Sequence, residues 1–72
     1  MPIEHTTPTY HIGTQLRKLR LLAYLTQAEL AERVGLSMCH IGSIETGRRN
    51  ASHKQVLKLA EALQVSVEKL CE

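Results

Sequence analysis

One stretch of twenty residues, QAELAERVGLSMCHIGSIET, constrains the fold of this chain more than any other feature. Two helices that cross steeply through a three-residue turn need three things. They need a small side chain at the crossing, a glycine that accepts positive φ in the turn, and apolar residues on the facing sides. The stretch meets these needs at Leu30, Ala31, Val34, Gly35, Leu36, Ile41 and Ile44. It therefore predicts two helices joined by a tight turn.

Hydroxyl residues predict where four helices begin. Thr26, with Glu29 three residues later, forms a capping box at the start of the second helix. Ser37, Ser52 and Ser66 are expected to cap the third, fourth and fifth helices. The spacing of Ile12, Leu16, Leu19 and Ala23 predicts a first helix over about residues 14–23. The apolar side of the fourth helix is predicted to carry Val56, Leu57, Leu59, Ala60 and Leu63.

The composition and the order of these elements predict an all-α fold with a single compact five-helix domain. A chain of 72 residues makes one small domain, and without Trp or Phe its core is built from Leu, Ile, Val and Ala. Residues 1–11 contain two prolines and no apolar period, so they are interpreted as an N-terminal arm, and residues 12–72 as the domain.

The sequence favours a cytoplasmic protein. No apolar run approaches the roughly 20 residues of a membrane span, and the N-terminus lacks the features of a secretory signal. Cys39 and Cys71 follow no paired spacing and are interpreted as free thiols in a reducing compartment. Residues 13–54 carry seven basic and three acidic residues, which is a mild indication of a polyanionic partner.

Catalytic and metal-binding patterns are absent from the sequence. There is no aspartate, no nucleophile triad and no phosphate-cradling glycine loop, so we expect neither an enzyme nor a cofactor. The four histidines lack the spacing of metal ligands, and no metal is expected. A soft-metal or thiol sensor built on the adjacent Cys39 and His40 is the alternative.

Four stretches of the chain resemble the phage repressor and Cro type of helix-turn-helix protein, the XRE family. They are IGTQLRKLR, LTQAELAERVGLS, IGSIETGRRN and VLKLAEALQVSVEKL, and together they extend from Ile12 to Leu70. The resemblance implies a lambda-repressor-like domain that binds double-stranded DNA. It also implies that helix 37–46 is the recognition helix, which lies in the major groove with its N-terminal end toward the bases.

The resemblance also implies which residues contact DNA. Gln27 is placed on a backbone phosphate, while Met38, Cys39 and Ser43 are placed on base edges. Phosphate contacts are expected at Thr26, Ser37, His40, Thr46, Arg48, Arg49 and Asn50, with a weaker contribution from Lys54.

Several positions depart from the family pattern. Met38, Cys39 and Ser43 stand where Gln or Arg is common, so bidentate base contacts are not expected from this helix. We predict that Met38 and Cys39 contact thymine methyl groups, while Ser43 can donate or accept a hydrogen bond. Specificity is then expected to depend on DNA shape and on half-site spacing. Tyr24 and Gln64 occupy positions that often hold glycine. Two further residues, Arg20 and Glu45, match the family and are expected to form an interhelical ion pair.

The function implied is a sequence-specific transcriptional regulator, of repressor type, that acts as a homodimer on a two-fold DNA site. The predicted dimer interface is the C-terminal segment, namely Val65, Val67, Leu70 and Cys71, with the arm as the alternative. Two other functions stay open at this point. One is the antitoxin of a toxin–antitoxin pair, which also binds a protein toxin. The other is a protein-interaction module that binds no DNA.

Overall fold

The structure, a computed structural model, describes residues 9–72 and contains the five predicted helices. They are α1 (Gly13–Leu22), α2 (Gln27–Val34), α3 (Met38–Glu45), α4 (His53–Leu63) and α5 (Val67–Leu70). Two short strands, β1 (Thr9–Tyr10) and β2 (Ala51–Ser52), add an antiparallel pair in which Thr9 lies opposite Ser52. The end of the predicted arm therefore pairs with the residues before α4. Residues 1–8 of the arm lie outside the described residues.

Side-chain caps begin α2, α3, α4 and α5 as predicted. Thr26 Oγ1 accepts from the Glu29 N–H at 3.0 Å, and Glu29 Oε1 accepts from the Thr26 N–H at 2.8 Å. The hydrogen bond that the Thr26 N–H donates to the Glu29 carboxylate is the main cause that holds the pKa of Glu29 below its ordinary value. Ser52 and Gln55 form a second capping box at α4. The reciprocal hydrogen bonds satisfy N–H groups that would otherwise be left without a partner at each helix start.

The turn between α2 and α3 depends on Gly35. This residue adopts φ 72° and ψ 28°, which is the left-handed conformation that glycine tolerates best. The following N–H, that of Leu36, donates to the Ala31 carbonyl at 2.9 Å and closes the end of α2. Only Leu36 and Ser37 separate Gly35 from α3, so α2 and α3 are held as a crossed pair.

The core is formed by one side of each helix together with the residues at their ends. Its fully buried side chains include Leu16, Leu30, Ile41, Ile44, Val56, Leu59 and Leu70. Two apolar residues predicted to face the core are exposed instead. Ala23 lies in the turn after α1, and Leu57 lies on the outer side of α4. The first helix ends at Leu22, one residue earlier than predicted.

Two residues other than glycine adopt the left-handed backbone conformation. Tyr24 follows α1 with φ 59°, and Gln64 follows α4 with φ 58°. The expectation that both stand at glycine-like positions is confirmed. Each costs about 1 kcal/mol, because the Cβ atom approaches the following carbonyl oxygen in this conformation.

Within the described residues, no helix has the length and apolar character needed to cross a bilayer. Over residues 9–72 the histidine, cysteine and acidic side chains also form no group of three that could hold a metal ion.

Candidate nucleic-acid interface

Helix α3 presents its N-terminal end outward. Ile41 and Ile44 are buried and anchor one side of the helix in the core. Met38 is 52% exposed, and Cys39 is also exposed. Ser43 lies half-buried. Gly42 does not face open solvent, because a Cβ atom built on it would lie 3.6 Å from Gln27 Oε1. The side chains free to meet a ligand are therefore concentrated at the start of the helix.

Two shallow depressions on either side of this end bring most of the predicted residues together. One is lined by Ser37, Cys39, His40, Ser43 and Arg49. The other includes Thr26, Gln27 and Met38. Residues from α2, α3 and the loop after α3, which are separate in sequence, thus border two depressions that each include a residue from the first turn of α3.

The hydroxyl groups at this surface differ in whether their own proton is free to be donated to a ligand. Ser37 Oγ and Thr26 Oγ1 each accept a backbone N–H, so each keeps its own proton for a phosphate oxygen. Thr46 Oγ1 instead donates its only proton to the Gly42 carbonyl at 3.0 Å. A phosphate contact by Thr46 therefore requires this hydrogen bond to break, which makes Thr46 the weakest of the three candidates.

His40 is tied to α4. Its Nε2 lies 3.2 Å from Nε2 of Gln55, whose Oε1 accepts from the Ser52 N–H. Because the Gln55 amide group faces His40 with its nitrogen, the neutral imidazole accepts at Nε2 and carries its proton on Nδ1. His40 thus offers one N–H donor, at Nδ1, for the predicted phosphate contact.

The loop after α3 folds back against the helix. The Arg49 N–H donates to the Ser43 carbonyl at 3.1 Å, while the Arg48 and Arg49 side chains are exposed. Arg49 and Asn50 also border a groove with the N-terminal residues of α1. Positive charge therefore stands next to the outward face of α3 and opens to solvent.

A buried ion pair holds the C-terminal end of α3 to α1. Arg20 Nε donates to Glu45 Oε2 at 2.6 Å and Nη2 to Oε1 at 3.1 Å, with the two side chains 9% and 3% exposed. Arg20 Nη1 also donates to the Leu25 carbonyl at 2.8 Å. The hydrogen bonds that the Arg20 guanidinium donates to Glu45 raise the pKa of Arg20, so the guanidinium stays charged. The pair expected from the family resemblance is present, and it connects α1 with the end of α3.

Sequence reasoning missed a third member of this network. Gln27 Nε2 donates to Glu45 Oε1 at 3.0 Å, so the first side chain of α2 is held to the last residue of α3. One amide proton and the carbonyl oxygen of Gln27 remain for DNA. No local pattern signals this contact, because the two residues are 18 positions apart and on different helices.

Gly13, the first residue of α1, also contributes to the position of α3 and was missed. A Cβ atom on it would lie 2.5 Å from the Ile44 carbonyl oxygen and 2.7 Å from that of Glu45. Such distances do not occur in folded proteins, so any side chain here forces α1 and α3 apart. The only signal in the sequence is a glycine at a helical position, where local propensity disfavours it.

Gly13→Ala is therefore expected to lower the free energy of unfolding by about 1–3 kcal/mol, because the obstructing atoms are backbone and cannot rotate away. Gly42→Ala is the matched control. Its new methyl group meets only the Gln27 side chain at ordinary contact distance, and the gain in helix propensity is about 1 kcal/mol. Urea unfolding of both variants checks the prediction. Equal stability of Gly13→Ala and wild type would contradict it.

The predicted dimer interface needs one correction. Leu70 is 0% exposed and fills the core of its own chain, so its assignment to a dimer surface is wrong. The turn before α5 directs this side chain inward, beneath α1 and α4. Val65 and Val67 are half-buried against the core, and Cys71 is exposed.

Comparison with known proteins agrees with this architecture. A family model described as a helix-turn-helix domain matches residues 11–71. The control protein C.SmaI of Serratia marcescens is 39% identical over 59 residues, which cover 82% of this chain and 70% of that protein. Some other curated relatives are longer, and the chain spans 13% of a 40%-identical propionyl-CoA carboxylase regulator of Cereibacter sphaeroides.

Solved structures of other proteins share this fold. The restriction-modification controller protein C.AhdI of Aeromonas hydrophila aligns with a TM-score of 0.79 and 40% identity, covering 83% of this chain and 91% of that one. The P22 c2 repressor, solved in complex with a synthetic operator, aligns with a TM-score of 0.78 and 30% identity, covering 85% and 92%.

Proposed function

The chain belongs to the helix-turn-helix family of DNA-binding transcriptional regulators, and from this premise we propose that it is a sequence-specific repressor that reads the major groove with α3 as a homodimer. The observation that carries the proposal is the outward start of α3, with Met38 and Cys39 exposed while Ile41 and Ile44 anchor the opposite side. A recognition helix needs both an accessible tip and a rigid support.

Phosphate contacts on both sides of this tip position the protein on the duplex. The first-turn N–H groups of α2 and of α3 that lack an intrahelical acceptor, together with the hydroxyl protons of Thr26 and Ser37, are donors suited to anions. Arg48 and Arg49, in the loop after α3, supply positive charge next to this helix. Contacts of this kind orient the helix but carry no sequence information themselves.

Base recognition is proposed for Met38, Cys39 and Ser43. A thioether and a thiol at the tip suit the C5-methyl group of thymine, while the Ser43 hydroxyl can donate or accept. The helix contains no arginine or glutamine that could form a bidentate base contact. The remaining specificity is then expected from DNA shape and from the spacing of two half-sites.

Dimerisation is proposed because one domain of this size offers few phosphate contacts. A two-fold dimer doubles them and places two copies of α3 about one helical turn of DNA apart, roughly 34 Å. With Leu70 removed from the candidate interface, Val65, Val67 and Cys71 remain. The relatives reported above are named as two control proteins, a regulator and a repressor, and from these names we propose repression and not an antitoxin role.

The function is tested by selecting duplexes from a random pool with the purified chain and sequencing them. We expect a two-fold site with half-sites about one turn apart and thymines at the positions read by Met38 and Cys39. A chain that binds no duplex at low ionic strength, or a site anchored on guanines at those positions, contradicts the proposal.

Salt dependence provides a second, residue-specific prediction. Arg49→Ala is expected to weaken binding to all sequences about equally and to reduce the slope of log Kobs against log salt by about 1, because one phosphate contact is lost. Arg33→Ala is the matched control, since Arg33 is exposed beside Lys58 and Glu61 and away from the predicted DNA contacts. Equal changes of slope in the two variants would show only a general effect of charge.

A further inference from the structure

Tyr24 is the most exposed large apolar side chain among the described residues. It is 92% exposed, and its backbone adopts φ 59°, a conformation that is unfavourable for most residues other than glycine. Within residues 9–72 its phenol group forms no hydrogen bond with the chain. Contacts of the side chain within the fold therefore do little to offset the unfavourable backbone conformation.

The position of Tyr24 on the surface, more than its backbone strain, points to a role in binding. It precedes the α2 cap, Thr26, by two residues and borders the same depression as Thr26, Gln27 and Met38. The rest of this depression is mostly apolar and includes Leu21, which is itself exposed. Tyr24 therefore stands at the border of the predicted DNA contacts with its ring open to solvent.

Gln64 shows that strain alone does not mark a site. It has almost the same backbone conformation as Tyr24, with φ 58°. It borders a different depression, with Arg33, Lys58 and Glu61, which contains none of the predicted DNA contacts. Of the two strained residues, only Tyr24 borders a depression that contains predicted DNA contacts.

We propose that Tyr24 is an additional DNA-contacting residue, whose phenol O–H donates a hydrogen bond to a phosphodiester oxygen beside the start of α2. This inference rests on the proposed DNA-binding function. A phosphate is the acceptor favoured here because the neighbouring Gln27 and Ala28 N–H groups and the Thr26 hydroxyl are all donors. A neutral phenol adds affinity at this edge without adding charge.

The proposed contact predicts a loss of DNA affinity without a change in its salt dependence. Tyr24→Phe removes only the hydroxyl group and is expected to weaken DNA binding about tenfold, the size typical of a hydrogen bond to a charged group. Because no cation is lost, the salt slope is expected to stay unchanged, unlike that of Arg49→Ala. Since the side chain is exposed, the Tm of Tyr24→Phe should equal that of wild type.

Glycine variants at the two strained positions complete the test. Tyr24→Gly and Gln64→Gly both relieve the left-handed strain, so both should keep or raise Tm, while only Tyr24→Gly should lose DNA affinity. Affinity of Tyr24→Phe equal to wild type, or the same loss of affinity in Gln64→Gly, overturns the inference. A wild-type chain that binds no duplex contradicts the proposed function itself, so the two failures are distinguishable.

Discussion

Glu45→Gln is expected to lower the free energy of unfolding by about 3–5 kcal/mol, because it leaves the buried Arg20 guanidinium without its counter-charge. The Arg20 and Glu45 side chains are 9% and 3% exposed, so water cannot replace the lost carboxylate. A domain of this size has a stability of only about 5–15 kcal/mol. The variant should therefore unfold at a much lower urea concentration than wild type.

The chain supplies a matched control for this substitution. Lys69 and Glu72 form an ion pair at 3.8 Å whose side chains are 51% and 62% exposed. Glu72→Gln makes the same chemical change in solvent and is expected to cost less than about 1 kcal/mol. Similar costs for Glu45→Gln and Glu72→Gln would show that burial does not govern the Arg20–Glu45 pair.

Replacing both members of the buried pair distinguishes two effects. One is the stability lost through an unpaired buried charge, and the other is the DNA affinity lost when α3 is no longer held in position. A variant with Arg20→Met and Glu45→Met should be more stable than Glu45→Gln, since no unpaired charge remains. It should not reach wild-type stability, because the Leu25 carbonyl and the Gln27 amide both lose a partner. We expect DNA affinity to stay reduced in this variant, since the contacts through which Glu45 joins α3 to α1 and α2 are gone.

Alkylation of Cys39 with N-ethylmaleimide is expected to abolish specific DNA binding. Cys39 is exposed at the outward start of α3, where a bulky adduct stands between the helix and the floor of the groove. Loss of base contacts leaves only non-specific binding, which is typically at least about 1,000-fold weaker. The measurement is the affinity of the modified protein for the selected duplex.

The second cysteine makes this experiment specific. Cys71 is also exposed but lies after α5, outside the proposed DNA surface. Cys71→Ser should lose binding on alkylation as wild type does, whereas Cys39→Ser should resist it. Bound duplex should protect Cys39 from the reagent and leave Cys71 reactive. Full affinity after complete modification of Cys39 would place α3 outside the groove.

The local structure of this chain could be predicted because its determinants are close together in sequence. Thr26 and Glu29 are three residues apart, so their reciprocal hydrogen bonds follow from the sequence alone. Gly35 likewise marks the end of α2, because few residues other than glycine accept its positive φ. The inward sides of α2 and α3 follow from the period of their apolar residues.

The contacts that position the candidate surface were harder to predict. The Arg20–Glu45 pair came from family resemblance and not from any local pattern, while its extension to Gln27 and the contact between His40 and Gln55 were not foreseen. Leu70 was misplaced because the periodicity of a four-residue helix cannot separate a core side chain from an interface side chain. In each case the partner lies on another element, at a distance that sequence spacing does not encode.

By itself, the sequence determined the five helices, their caps, the glycine turn and the apolar sides that form the core. These features depend on hydrogen bonds and periodicities within a few residues of one chain segment. Only the tertiary structure decided how the start of α3 is held outward, through Gly13 against its C-terminal end and Glu45 between Arg20 and Gln27. Those contacts join residues 18 to 32 positions apart, and their energy appears only once the helices have packed.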